Sequence, residues 1–163
     1  MSAGRRLLVV GGMALALLGM TYGGWYAVFA EHQELDGMGR SLAASFTAAA
    51  ERHPAVAQTA LERYRKLKYD YDRHVDVHGH SIGLAMLLMV LGIGLDRVSF
   101  GVQVKKLLAT ALVLGSFLFP LGVLLETLNH GFVPRALAVA GSALVIVSLA
   151  GVSLGLLRTQ QSN

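Results

Sequence analysis

Four long apolar runs constrain this chain more than any other feature. They lie at about residues 7–30, 80–95, 107–128 and 136–157. A run of ~20 apolar residues is what a helix needs to cross the hydrocarbon core of a bilayer. No water reaches the backbone there, so each run must satisfy its own N–H and C=O groups, which a helix does. The expected fold is therefore all-α: an integral membrane four-helix bundle, with an extracytoplasmic helical hairpin at 31–79 between helices 1 and 2. At 163 residues, the chain suits a single membrane domain over 1–163 and leaves no room for a second large one.

Charge placement supports the same class. The formal net charge is +4, yet between Glu31 and Arg73 seven acids balance seven bases. The excess belongs to Arg5, Arg6, Arg97, Lys105, Lys106, Arg135 and Arg158, which flank the apolar runs. Bases so placed flank membrane helices; they do not build a phosphate-binding groove, so nucleic acid is excluded as a partner. The bilayer is the expected one, with other membrane subunits or a homo-oligomer beside it. The chain has no cysteine, which removes disulfides, thiolate ligands and c-type haem attachment.

Along the chain, Arg5-Arg6 and the run to Ala30 resemble a signal peptide, and Val28-Phe29-Ala30 resembles a weak cleavage site. The run is longer than a signal core and ends in Tyr22, Trp25 and Tyr26, an aromatic group that fits a membrane interface. It is read as an uncleaved anchor. In the polar section, Leu35, Met38, Leu42, Phe46 and Ala49 recur at spacings of three and four, the pattern of an amphipathic helix. His53-Pro54 interrupts it, because proline disfavours helical geometry in the residue before it. Leu61, Tyr64, Leu67, Tyr71 and Val75 then continue a second stripe, and nothing breaks that helix between Pro54 and Gly79. Small residues Gly141, Ser148, Gly151 and Gly155 mark the fourth run as a packing partner.

Four crossings bring Glu31-His32, the segment from His74 to His80, and Glu126 to His130 to one side of the membrane. Arg5-Arg6 ahead of the first helix, with no base after it until Arg40, assigns both termini to the cytoplasm and the histidine rim to the outer face. The expected location is a bacterial inner membrane.

Chemistry concentrates at Asp70 to Ser81, where three of six histidines fall within seven residues: His74, His78 and His80. Ionisable groups at a membrane boundary are costly and point to function. On a helix His74 and His78 share a face, while His80 lies about 200° round the axis from His78. Two ligand chemistries suit imidazole without thiolate. A b-type haem needs one or two axial histidines, drawn from His78, His80 and His130, and a slot lined by small residues such as Gly79, Gly83, Gly19, Gly23 and Gly122. Copper or zinc needs several convergent donors, from His74, His78, His80, Asp76, Glu126 and His130. If the turn between helices 2 and 3 centres near Ser99-Phe100, facing residue numbers add to about 199, which sets His80 beside Phe119 and His74 beside Glu126. By that count His130 stands ~15 Å above His80. No residue is assigned to catalysis, and enzymatic activity is left open.

His78-Gly79-His80 opening an apolar helix resembles the haem-ligating helix of haem–copper oxidase and nitric oxide reductase catalytic subunits, over about a dozen residues. The resemblance implies that the two histidines ligate two different haems from opposite faces, His78 the high-spin and His80 the low-spin one. The three further histidines of that superfamily's second metal have no counterpart in this chain. The stretch also resembles small four-helix membrane proteins in which His-x-His opens the second helix. Two functions follow as expectations. The first is a small b-type haem protein or redox subunit, working in electron transfer or haem sensing. The second is a non-catalytic subunit or assembly factor of a larger membrane complex, carrying a transition metal or no cofactor.

Overall fold

The computed structural model describes residues 1–129 and 131–161 of the chain. Among the described residues every regular element is helical: α1 (Ala3–Phe29), α2 (Glu31–Ala50), α3 (Pro54–Gly94), a 3-10 turn (Leu95–Arg97), α4 (Val102–Leu128) and α5 (Phe132–Gln161). Four of them are long and apolar enough to cross a membrane: α1, α3 with its 3-10 extension, α4 and α5. The chain forms two compact units, one of residues 1–20 and 76–163, the other of residues 21–75. The division falls inside α1 and α3, each of which supplies residues to both.

In the larger unit Leu8, Leu15, Ala85, Leu88, Leu95, Ala109, Leu112 and Val145 form the core. Small residues set how closely the helices approach. A Cβ on Gly12 would meet the Ala85 carbonyl oxygen at 2.8 Å, and one on Gly19 would meet Ser81 Cβ at 2.8 Å, so α1 lies directly on α3. The contact is tighter between α4 and α5, where a Cβ on Gly122 would meet Ala138 Cα and one on Gly141 would meet Phe119 Cα, both at 2.8 Å. Backbone packs on backbone there, the small-residue device of helix association in membranes. The expected role of Gly141, Ser148, Gly151 and Gly155 follows: Gly151 meets Leu108, Gly155 meets Val98 and Phe100, and Ser148 is buried. Polar ties hold the far end, where Asp96 accepts a hydrogen bond from the Ser2 hydroxyl at 2.6 Å and pairs with Arg5 at 3.6 Å.

The smaller unit is built on the α2–α3 hairpin. His53-Pro54 breaks the helix as expected, by a backbone device that the sequence does not announce. Arg52 takes a left-handed φ of 59°, His53 N–H donates to the Ala48 carbonyl at 2.8 Å, and Arg52 N–H donates to the Ala49 carbonyl at 3.1 Å. This pair of bonds is the Schellman closure of a helix.

The face that α2 buries overlaps only in part the one its periodicity marks. Leu35 and Phe46 are 44% and 69% exposed, while Ser41 and Ala48 are buried. Small side chains win because they let the two helices approach closely enough for the Ser45 hydroxyl to donate to the Ala57 carbonyl at 3.0 Å. Of the bulky stripe, Met38 and Leu42 are half-buried beside them, while Leu35 and Phe46 stay outside.

Candidate functional site

The three clustered histidines divide into two environments. In the larger unit, His78 Nδ1 lies 2.9 Å from the Gly19 carbonyl oxygen on α1, and His80 Nδ1 lies 2.7 Å from the Asp76 carbonyl oxygen one turn back on α3. A carbonyl can only accept, so each Nδ1 carries a proton, and the tautomer this selects has its lone pair on Nε2. This is the arrangement in which a protein holds an imidazole that ligates through Nε2, the carbonyl fixing tautomer and ring orientation. The two rings point to different neighbours, as their angular separation on the helix requires. His80 meets Phe119 edge-on, with centroids 4.7 Å apart and planes at 86°. The α3–α4 register therefore agrees with the count of about 199.

Around His80 the helix face is open. His80 is exposed together with Gly79, Gly83, Met86, Val90 and Ile93, at spacings that keep them on one side of α3. A Cβ on Gly79 or Gly83 would meet no atom within 4 Å. Of the other slot residues, Gly19 and Gly122 are filled by Ser81 and Ala138 of neighbouring helices, and Gly23 is half-buried in the smaller unit. What is left of the expected slot is a notch of two glycines beside one imidazole.

In the smaller unit His74 occupies a different setting. Its Nδ1 is hydrogen-bonded to the Tyr22 hydroxyl, and its Nε2 lies 3.7 Å from Glu34 Oε1. The Tyr26 hydroxyl donates to the other Glu34 oxygen at 2.6 Å, and the Tyr26 ring stacks on His74 with centroids 4.8 Å apart. Next to it the Tyr71 hydroxyl donates to Glu31 at 3.4 Å. The side chains of His74 and Glu34 are only 17% and 20% exposed. Buried carboxylate and imidazole groups need such partners, because an unpaired one loses the solvation it had in water. Both ring nitrogens are engaged: the phenol donates to Nδ1 while Nε2–H faces the carboxylate. The result is a phenol–imidazole hydrogen bond with a carboxylate 3.7 Å from the ring's other nitrogen.

Of the residues drawn into a metal set, Asp76 lends its main-chain oxygen to His80 and Glu126 lies half-buried in the last turn of α4. His130 lies outside the described residues. Among the described residues no three histidine or acidic side chains form a group that could hold a metal ion. Sequence reasoning missed Tyr22, Tyr26, Glu31 and Glu34 as partners. Tyr22 and Tyr26 are four apart, on one face of α1 opposite His74, but aromatic residues at the end of an apolar run read first as an interfacial belt. Glu34 reads as part of a solvated helix face. Comparison with known proteins adds no family to this geometry: no family model, no curated protein and no solved structure matches the chain.

Proposed function

We propose that this chain is a small membrane-integral b-type haem protein or redox subunit, working in electron transfer or haem sensing, with His80 as an axial ligand. One observation carries the reading: the exposed His80 has Nδ1 2.7 Å from the Asp76 carbonyl oxygen, which leaves Nε2 as the nitrogen that a ligand would take. The Gly79–Gly83 notch beside it supports the reading, since a flat macrocycle needs side-chain-free surface and a Cβ there would meet nothing within 4 Å. His78 has the same tautomer on another face, and His130 remains the third candidate. When bound, the haem would supply one-electron redox chemistry. The chain's own residues orient the imidazole and leave room for the macrocycle. In this reading the protein sits in a bacterial inner membrane with both termini cytoplasmic and the hairpin and histidine rim outside, and a reporter fused after Asn163 is active only in a cytoplasmic format.

The test is the absorption spectrum of dithionite-reduced protein, purified after haem is supplied during expression. Wild type should show a Soret band and a sharp α band, and His80→Ala should lose the α band. No Soret band in wild type would overturn the haem reading. A second reading is then favoured by the same open notch. Gly79 and Gly83 would seat a helix of a larger membrane complex, of which this chain would be a non-catalytic subunit or assembly factor.

A further inference from the structure

The hairpin of the smaller unit carries a cleft that involves none of the histidines. Gly37 faces Leu67, and Ser45 bonds to Ala57, so facing residue numbers on α2 and α3 add to about 103 and Arg40 stands opposite Arg63. Between them lies a cleft of ≈ 500 Å³, lined also by Ser41, Ala44, Val56 and Thr59. That volume falls within the ~300–1,000 Å³ of small-molecule sites.

Two features of the lining call for an anion. Like charges set opposite each other on neighbouring elements repel, yet among the described residues no hydrogen bond or ion pair engages Arg40 or Arg63. The nearest acids in sequence are turned to other partners: Asp36 pairs with His32 at 3.5 Å, and Glu62 accepts the Gln58 amide at 3.2 Å. Ser41 is only 6% exposed, and among the described residues no hydrogen bond engages its hydroxyl. Thr59 donates its own hydroxyl to the Ala55 carbonyl at 3.0 Å, so its oxygen is left only to accept. The donors that remain are two guanidinium groups and one hydroxyl, which match an acidic head. Ala44 and Val56 provide an apolar bed beside them.

We propose that this cleft binds a free single-chain amphiphile with one acidic head, a carboxylate or a phosphate monoester, held by Arg40, Arg63 and Ser41. A lipid of the surrounding bilayer fits less well. Ala60 of the cleft lies eleven residues before Tyr71 on α3, a rise of ~16 Å, and Tyr71 lies against Tyr26 of the aromatic group expected at the interface.

The experiment uses the full chain in nanodiscs of zwitterionic lipid, titrated calorimetrically with dodecanoate. Saturable binding at one site is expected. Arg40→Ala with Arg63→Ala should weaken it at least tenfold, and Ser41→Ala about three- to tenfold. The lysine pair, Arg40→Lys with Arg63→Lys, should stay within a few-fold of wild type, which separates loss of charge from loss of fold. Dodecanol and inorganic phosphate should each bind at least tenfold more weakly. Absence of saturable dodecanoate binding, an unchanged affinity in the alanine pair, or equal binding of dodecanol would overturn the proposal. Equal binding of phosphate would reduce the site to an ion site and overturn the amphiphile. Loss of dodecanoate binding in nanodiscs containing anionic lipid would overturn the free source in favour of a bilayer headgroup.

Discussion

The two units of this protein hold their helices together by different means. In the larger unit the decisive contacts are backbone on backbone, with Gly141 against Phe119 and Gly122 against Ala138. In the smaller unit side-chain polar contacts are added, with Tyr22 hydrogen-bonded to His74, Tyr26 to Glu34, and His74 3.7 Å from Glu34. The difference follows from the surroundings each sequence is made for. In lipid, apolar side chains gain nothing by leaving one apolar medium for another, so association depends on close fit. A polar segment can add side-chain bonds to such a fit, and its partly buried acids must be bonded to be tolerated. The same contrast divides the histidines. His74, in the bonded unit, uses both ring nitrogens, whereas His78 and His80 are each tied through Nδ1 to a carbonyl and hold Nε2 in reserve.

The largest expected effect tests the close-fit half of the comparison. Gly141→Leu places a side chain against the Phe119 backbone, where neither partner has a flexible end to move. It should cost about 3 kcal/mol or more and shift thermal unfolding in nanodiscs accordingly. Gly83→Leu is its counterpart on an open face, where an added Cβ meets nothing within 4 Å. Leucine is also the better helix former, so the fold should lose nothing. Equal melting losses for the two variants would show that glycine content, not backbone contact, governs packing here.

A smaller effect separates the bonded histidine from the open one. His74→Leu leaves the Tyr22 hydroxyl and the Glu34 carboxylate without their shared partner in a mostly buried place, at a cost of about 2–3 kcal/mol. Amide hydrogen exchange in α2 and the first half of α3 should accelerate by roughly a hundredfold, since local opening reports local stability. His80→Ala removes an exposed ring whose single hydrogen bond returns to its own helix and whose remaining contact is edge-on to Phe119, and should change stability by no more than about 1 kcal/mol. If the two substitutions were equally costly, the division of the cluster into a structural and a ligating part would fail.

How much of this was legible beforehand depends on which forces decided each element. The membrane helices followed from composition, since only helices satisfy their backbone in lipid. The pairing of His80 with Phe119 also followed, because a short turn fixes the register of an antiparallel pair and a residue count then carries along both helices. The buried face of α2 did not. Periodicity marked Leu35 and Phe46, and the helix buried Ser41 and Ala48 instead. An apolar stripe shows where a helix can bury large side chains, and a neighbour close enough to bond through Ser45 turns the helix so that Met38 and Leu42 are only half-buried. The Tyr22–His74–Glu34 chain was hidden for another reason. Its members come from three helices, and Glu34 reaches His74 only once α2 has turned back from the end of α1. Apolar periodicity carries no information about that meeting.

The smallest effect concerns the one place where the hairpin holds a strained backbone. Arg52 closes α2 with φ at 59°, a left-handed conformation that costs a residue bearing a Cβ about 1–2 kcal/mol. Glycine takes that conformation without the clash, but it loses more freedom on folding, by roughly 0.5–1 kcal/mol. Arg52→Gly should therefore stabilise the turn by about 0.5 kcal/mol and slow exchange of the His53 amide, which donates to the Ala48 carbonyl, about twofold. Arg52→Val should act in the opposite sense and more strongly, because a branched Cβ is worse placed at positive φ. If glycine were neutral or destabilising while valine was tolerated, the backbone at Arg52 would not be what ends α2. The closure would then rest on Pro54 alone, and the hairpin would be fixed by a chain break rather than by the pair of bonds to Ala48 and Ala49.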